Sequence, residues 1–334
     1  MPRRGEACLY NKTEAEVLIA GVPVPGLIAV TIDSVGHFSA DRFRLAFTTA
    51  LVPGFDISYF AGLGGQQISI AVSQGGDGYV PLFTGLIDNI RIDFRTNTAV
   101  LSGRDLSALM IDTDVAESFL NQTASQIATT IAARHGLNAQ VTATKDLIGQ
   151  YYDLDHARTI LSLSSKITNE WGLLCQLAQI EGYYLGVTGS TLIFQPETET
   201  VVATLPKTAF SQLGVDIVAV IPQVRHIKSW NCRQKTAVDV SSGAGGRVAT
   251  GIRPNLNSAT AQSIAETEVG LLVRQGALLT GTMPGELTIQ PGVRVGLYGT
   301  SSSFDATYAV ESVRRQVDQR SGFQQIIRAF LLTT

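Results

Sequence analysis

The chain has 334 residues, 45% of them hydrophobic and 16% charged, with 32 glycines and a net charge of −3. Its length exceeds the usual core of about 100 to 200 residues, so two or three domains are expected, and its balance argues against a disordered or fibrous protein. With a pI near 5.8 it lacks the global basic field that sequence-independent binding to nucleic acid requires.

The amino terminus, Met1 to Glu6, is charged and runs into Ala7-Cys8-Leu9-Tyr10 without the apolar stretch of a signal peptide. The longest apolar runs, Val215 to Val220 and Ile326 to Leu332, are interrupted by Asp216 and Arg328 and fall far short of the roughly 20 residues that cross a bilayer, so no membrane insertion is expected. Cys8, Cys175 and Cys232 are odd in number and far apart, which fits reduced, buried thiols better than a disulfide framework.

In residues 1–103, Ile68, Ile70 and Val72 alternate with Ser69 and Ala71, and Ile90, Ile92 and Phe94 alternate with Arg91 and Asp93. This period of two predicts half-buried strands, punctuated by the glycine-rich turns at 64–65 and 75–78 and closed into a barrel or sandwich, taken here as an amino-terminal β-barrel. Residues 104–200 change period. Ala124, Ile127, Ala128, Ile131 and Ala132 form one helical stripe, started by a Thr123/Gln126 capping box and ended by Gly136 after His135. A second helix is predicted over 164–181, with Ile167, Trp171, Leu174, Leu177 and Ala178 on one face, then a hairpin turning at Gly189-Ser190, making a small α/β module. Residues 201–222 read as a linker or a strand returning to the first barrel. Residues 223–334 read as a second β-barrel with a helix near 259–275.

Laying Gln67 to Phe94 without gaps on Gln290 to Val317 superposes Gln67, Val72, Gly76 and Arg91 on Gln290, Val295, Gly299 and Arg314, and Asp88 on Glu311. The match predicts one β unit used twice. The fold class is therefore mainly β with an α/β insert: two related β-barrel domains plus a small α/β module, the barrels being tube-like on the resemblance given below.

Signatures of chemistry are missing. There is no Gly-Lys dipeptide for a phosphate loop, no G-x-S-x-G, no H-E-x-x-H and no C-x-x-C. Asp153, Asp155 and His156 are good metal-ligand types at nonspecific spacing, and they read better as a polar connection. Glu170, Glu181 and Glu197 are the carboxylates that a glycan hydrolase would need, but no spacing singles them out. His135 reads as a cation at a helix carboxyl end. Arg91, Arg95, Arg104, Arg314, Arg315, Arg320 and Arg328 lack interleaved aromatics, so solvated faces or subunit contacts are expected rather than a nucleic-acid groove. No catalytic residue, cofactor or metal site is assigned.

Three stretches together carry a resemblance. Phe83 to Ile90 running into Ala99-Val100-Leu101-Ser102-Gly103-Arg104-Asp105-Leu106, the capped helix Phe119 to Leu137, and Gly285 to Val295 with Tyr308-Ala309-Val310-Glu311-Ser312-Val313 resemble the baseplate hub proteins of phage tails, including the late-control D type and the hubs of contractile injection systems. The resemblance implies a non-enzymatic homotrimer, present in the virion tail baseplate after assembly in the host cytoplasm. Two barrels per subunit would give a pseudo-sixfold ring adapting a sixfold tail tube to a threefold central spike, with DNA passing through the channel without specific binding. It implies as partners the tail tube protein, the central spike protein, and baseplate wedge or other tail-tip proteins. The chain ends at Thr334 just after the second barrel, so the piercing tip is expected to be a separate chain. The competing reading is a tail-associated cell-wall or polysaccharide hydrolase with its site in residues 104–200.

Overall fold

The alternating segments become strands in the computed structural model, which describes residues 13–36, 38–50, 52–74, 78–115, 119, 121–145, 147–148, 169–218, 222–232, 234–274, 276–318 and 321–332. The first are β1 (Thr13–Ile19), β2 (Val22–Pro23), β3 (Leu27–Val35), β4 (Arg42–Thr48), β5 (Gln67–Gln74), β6 (Val80–Asp93) and β7 (Thr98–Asp105), with a short helix α1 (Ile57–Ala61) before β5. All their ladders are antiparallel, in the order β3-β4-β7-β6-β5-β1-β2. Alternation decides what each contributes: on β7, Ala99, Leu101 and Gly103 turn inward and Val100, Ser102 and Arg104 outward. The inward sides meet Phe60 of α1 in one core that includes Phe43, Leu45, Phe47, Ile68 and Ile70.

The segment after β7 holds α2 (Ser107–Ile111), β8 (Gln122–Thr123), α3 (Ala124–Arg134), β9 (Asn138–Val141), β10 (Leu147–Ile148), α4 (Glu170–Glu181), β11 (Tyr183–Thr188) and β12 (Thr191–Pro196). Thr123 caps α3, with Gln126 reaching back to the Thr123 N–H at 2.9 Å, and Gly136 takes the left-handed conformation that ends it (φ +67°). The predicted start of the second helix, 164–168, lies outside the described residues; its described part is capped by Asn169, whose side chain accepts from Gly172 N at 2.8 Å. β11 and β12 form the expected hairpin, and β9 adds to β12 in parallel. Both helices pack on this sheet through Ile127, Ile131, Trp171, Leu174, Leu185 and Phe194, a core of its own.

Beyond β12 come β13 (Val201–Pro206), β14 (Gln212–Ile217), β15 (Pro222–Asn231), β16 (Thr236–Gly243), β17 (Arg247–Ile252), helix α5 (Ser258–Arg274), β18 (Ala277–Pro284), β19 (Arg294–Tyr298), β20 (Thr307–Asp318) and β21 (Gly322–Leu331). Two expectations are corrected here. Of residues 201–222, the stretch 201–217 is neither a linker nor a return to the first barrel: β13 pairs with β19 and β14 with β18, because their alternating Ala203, Leu205, Leu213 and Val215 fill the core of the second barrel. Nor does that barrel take in everything from 223 onward. β15, β16 and β17 form a separate sheet covered by α5, with Ile227, Val238, Ala261, Ile264 and Ala265 between them.

The second barrel runs β14-β18-β21-β20-β19-β13, and read in chain order this is the same path as β3-β4-β7-β6-β5-β1. Position for position, β14 stands for β3, β18 for β4, β19 for β5, β20 for β6 and β21 for β7. The one polarity difference is the last ladder, antiparallel for β1·β5 and parallel for β13·β19. The correspondence extends to a defect. β6 bulges at Asp88, between Ile87 and Asn89, and β20 bulges at Glu311, between Val310 and Ser312, the residues that the gapless comparison superposes. It fails on the preceding strand. The pairing of Ser69 with Thr84 maps onto Gly292 and Thr307, yet Thr307 faces Gly296, because the connection before β20 is longer. The barrels also differ in what they carry: the β7 to β13 connection holds the α/β module, and the β14 to β18 connection holds the α5-covered sheet where the first barrel has only residues 36–41. Tyr308 is fully enclosed; such burial is worth about 1.5–3 kcal/mol, and its hydroxyl donates to Phe304 O at 2.9 Å, so no polar group is stranded.

Candidate assembly surface

The two barrels share a seam, and the bulge makes it. Up to Ala309, β20 pairs with β19; beyond Glu311 it turns to β3, from Ser312 opposite Val35 to Asp318 opposite Ala29. A bulge re-aims a strand, so one strand serves two sheets. Gly36 N donates to Glu311 O at 2.7 Å at the turning point. On the outer side Arg314 forks onto both oxygens of Asp33, and on the inner side Val317 packs against the core of the first barrel.

The outer face is charged in both signs. Arg42 lies abreast of Asp33, which lies abreast of Arg314. Arg104, next across β4, donates to Asp88 at 2.7 and 3.0 Å and to Asp112 at 3.1 and 2.9 Å. A cleft of about 410 Å³ over the seam is lined by Arg42, Arg314, Arg328, Asp33 and small residues such as Ser34 and Ala40. Arg91 is exposed on the same face of β6 and helps hold the Asp93 carboxyl below its usual range, after the N–H groups of Thr96 and Arg95.

Beneath the seam lies a buried polar group that the sequence reading missed. Asp105 is buried and accepts from Ser107; Asp41 accepts from Val35 N at 2.8 Å; Arg315 is buried and donates to Ile289 O. Burial, then the Asp105 charge, pushes Asp41 up to about 7, and burial pushes Asp105 up to about 6. Burial lowers Arg315 to about 10. A signal was present: two adjacent arginines on one strand must face opposite ways, so with Arg314 outside, Arg315 had to be inside.

These raised carboxyls give a pH dependence of definite sign. Between about pH 4 and pH 7 the folded chain holds protons that the unfolded chain has released, so stability falls as pH rises through that window and is level above it. Each unit of displacement is worth about 1.4 kcal/mol at most. Asp93, Asp112 and Asp305 are held below the usual range by hydrogen bonds and lose their contribution only at lower pH. The urea midpoint is expected to be higher at pH 5 than at pH 7.5, and Asp41→Asn to flatten that difference; an unchanged slope in the variant would count against this assignment.

The candidate catalytic residues share neither of two surface clefts. Glu170 is buried and held by Arg134 and His135, so His135, the cap residue of α3, also serves as a bridge between α3 and α4. Glu181 ends α4, and Glu197 follows β12. Neither the seam cleft nor a second one, of about 400 Å³ beside α3, is lined by any of the three. Asp153, Asp155 and His156 lie outside the described residues, among which no group of three or more His, Cys, Asp or Glu could hold a metal. Cys175 is half-buried, its thiol pushed up to about 12 by burial, and Cys232 is exposed. No helix among the described residues is long and apolar enough to cross a membrane.

No family model matches the sequence, and no curated protein matches it significantly. Solved structures do. A tail protein from Neisseria meningitidis MC58 superposes with a TM-score of 0.74 at 18% identity, over 96% of this chain and 96% of that one. The 43 kDa tail protein of prophage MuSo2 from Shewanella oneidensis gives 0.73 at 16% identity, over 95% of this chain and 98% of that one. A component of the E. coli type VI secretion system, described as similar to the T4 tail proteins gp27 and gp5, gives 0.59 at 11% identity, over 95% of this chain and 77% of that one. The twice-used barrel with its α/β insert is thus the fold of phage tail proteins.

Proposed function

We propose that the chain is a structural hub of a phage or phage-like tail baseplate, a homotrimer forming a ring between the sixfold tail tube and the threefold central spike. The observation that carries this reading is the repetition: one chain presents the same six-strand path twice, side by side, joined by the β3·β20 ladder. Three copies then supply six barrel positions to a tube while remaining three subunits to a spike, which is what closed cyclic assembly of such a chain provides. The inserts differ between the two barrels, so everything outside the barrels repeats only three times. Its partners are the tube protein, the spike protein and the neighbouring wedge or tail-tip proteins, in the virion tail after assembly in the host cytoplasm.

A channel for DNA is part of the proposal. The outer face pairs Arg104 with Asp88 and Asp112 and Arg314 with Asp33, and arginines neutralised in this way release few counterions from a passing duplex, so DNA would not be gripped. The protein is not an enzyme in this reading. A map of the assembled particle is expected to show three copies about the tail axis around an open channel, and the purified chain to leave cell-wall and polysaccharide substrates unchanged. A monomer or dimer on the axis, or turnover abolished by Glu170→Gln, overturns it.

A further inference from the structure

Among the described residues the repetition leaves two strand edges uncovered, and they match. β3 is covered on both sides, by β4 and by β20, whereas β14, its counterpart, pairs only with β18 among the described residues. β20 past its bulge is covered by β21 and by β3, whereas β6 past its bulge, from Asn89 to Asp93, pairs only with β7 among the described residues. The seam inside the chain therefore has a vacant equivalent, half on β14 and half on β6.

The register of that equivalent can be read from the ladders. Thr31 is connected through Arg44 and Ser102 to Asn89; Gly214 is connected through Thr280 and Arg328 to Ser312. Asp33 is connected through Arg42 and Arg104 to Leu86, and Asp216 through Leu278 and Phe330 to Ala309. Asn89 with Ser312, and Leu86 with Ala309, are also the pairs of the gapless comparison. Two independent paths, one on each side of the bulge, thus place Gly214 on Thr31 and Asp216 on Asp33.

We propose that β14 of one copy pairs antiparallel with the second half of β6 of the next copy, with Asp216 opposite Arg91, repeating between chains the Asp33–Arg314 pair of the seam. The same register puts Gly214 opposite Asp93 and Val218 opposite Asn89, with no like charges facing. Arg91 and Asp216 are both exposed and neither makes an ion pair among the described residues. Phe94, 75% exposed, takes the place of Val317 and so covers the core of the next copy's second barrel beside Leu213. Ile217 and Val218, 64% and 50% exposed, are shielded by the same contact. The contact joins two different surfaces, head to tail, as a cyclic ring requires.

This interface rests on the ring reading, and the experiment separates the two. Arg91→Glu and Asp216→Arg, each checked for unchanged far-ultraviolet circular dichroism, are expected to weaken self-association of the full chain in sedimentation about tenfold or more, and the double swap to recover it. In addition, Asn89→Cys with Val218→Cys is expected to give an intermolecular disulfide ladder ending at a covalent ring. A wild-type chain that never associates, even in assembled particles, removes the ring reading. A ring that survives both charge reversals and forms no Asn89→Cys/Val218→Cys cross-link overturns this interface alone.

Discussion

Gly103→Val is expected to be the most damaging single substitution in the first barrel. A Cβ at Gly103 would lie 1.8 Å from Leu86 O and 2.8 Å from a ring carbon of Phe43, and one at Gly85 would lie 2.2 Å from Arg104 O. Both meet main chain, which cannot rotate aside as a side chain can. Both glycines lie just before the bulge at Asp88, Gly85 on β6 and Gly103 opposite Ile87 on β7, and let the two strands approach there. Separating those strands disrupts the ladder and the core beneath it, so a loss of about 3 kcal/mol or more is expected, at the upper end of overpacking effects. Gly64→Ala, where a Cβ meets nothing within 4 Å, is the control and should change the urea midpoint little. If Gly103→Val and Gly64→Ala unfold alike, the close approach of the strands is not what the glycine serves.

The second large effect is expected at Glu170. Both of its oxygens are engaged, one by Arg134 and the other by His135, while its own N–H donates to Thr113 O at 3.0 Å, so it ties α3 and α4 together at the start of α4. Glu170→Ala would remove the buried carboxylate that Arg134 and His135 share, a change that costs about 3–5 kcal/mol where pairs are fully buried, and less here because Arg134 is 37% exposed. Glu170→Gln keeps the shape and part of the hydrogen bonding and should lose less. Trp171 adjoins the site, and its fluorescence during urea unfolding reads the two variants directly. Equal stability of Glu170→Ala and the parent would mean that the helices are held by their apolar faces alone.

Particular elements explain how far the sequence could be read. α3 was legible from end to end because its signals are local: a capping box, an apolar stripe and a glycine in the left-handed conformation. The strands of both barrels were legible from alternation, and even the bulge was present, hidden in the pairing of Asp88 with Glu311. What alternation cannot carry is partnership. β14 looks the same whether it joins the first barrel or the second, and only the three-dimensional path shows that it follows β18. The α5-covered sheet was merged with the second barrel for the same reason, since its core of Ile227, Val238 and Ala261 is separate only in space. The polar group under the seam was missed because Asp41, Asp105 and Arg315 come from three distant segments. The absence of catalytic signatures left the assembly surface to be found through ladders rather than motifs.

The uncovered edge of β14 also has a meaning for the chain before it meets its neighbours. An unpaired edge is a template for any extended segment, and proteins commonly protect such edges with charges, prolines or bulges. β14 carries a single charge, Asp216, between Val215 and Ile217, and no proline. Since the proposed head-to-tail contact would close only if every junction turned by the same angle, a junction strained in the wrong direction would go on adding copies into a filament. In the proposed ring, the β3·β20 seam inside each chain would set that angle for half of the junctions before assembly begins. Solubility of the free subunit would then be tied to the same geometry that closes the ring.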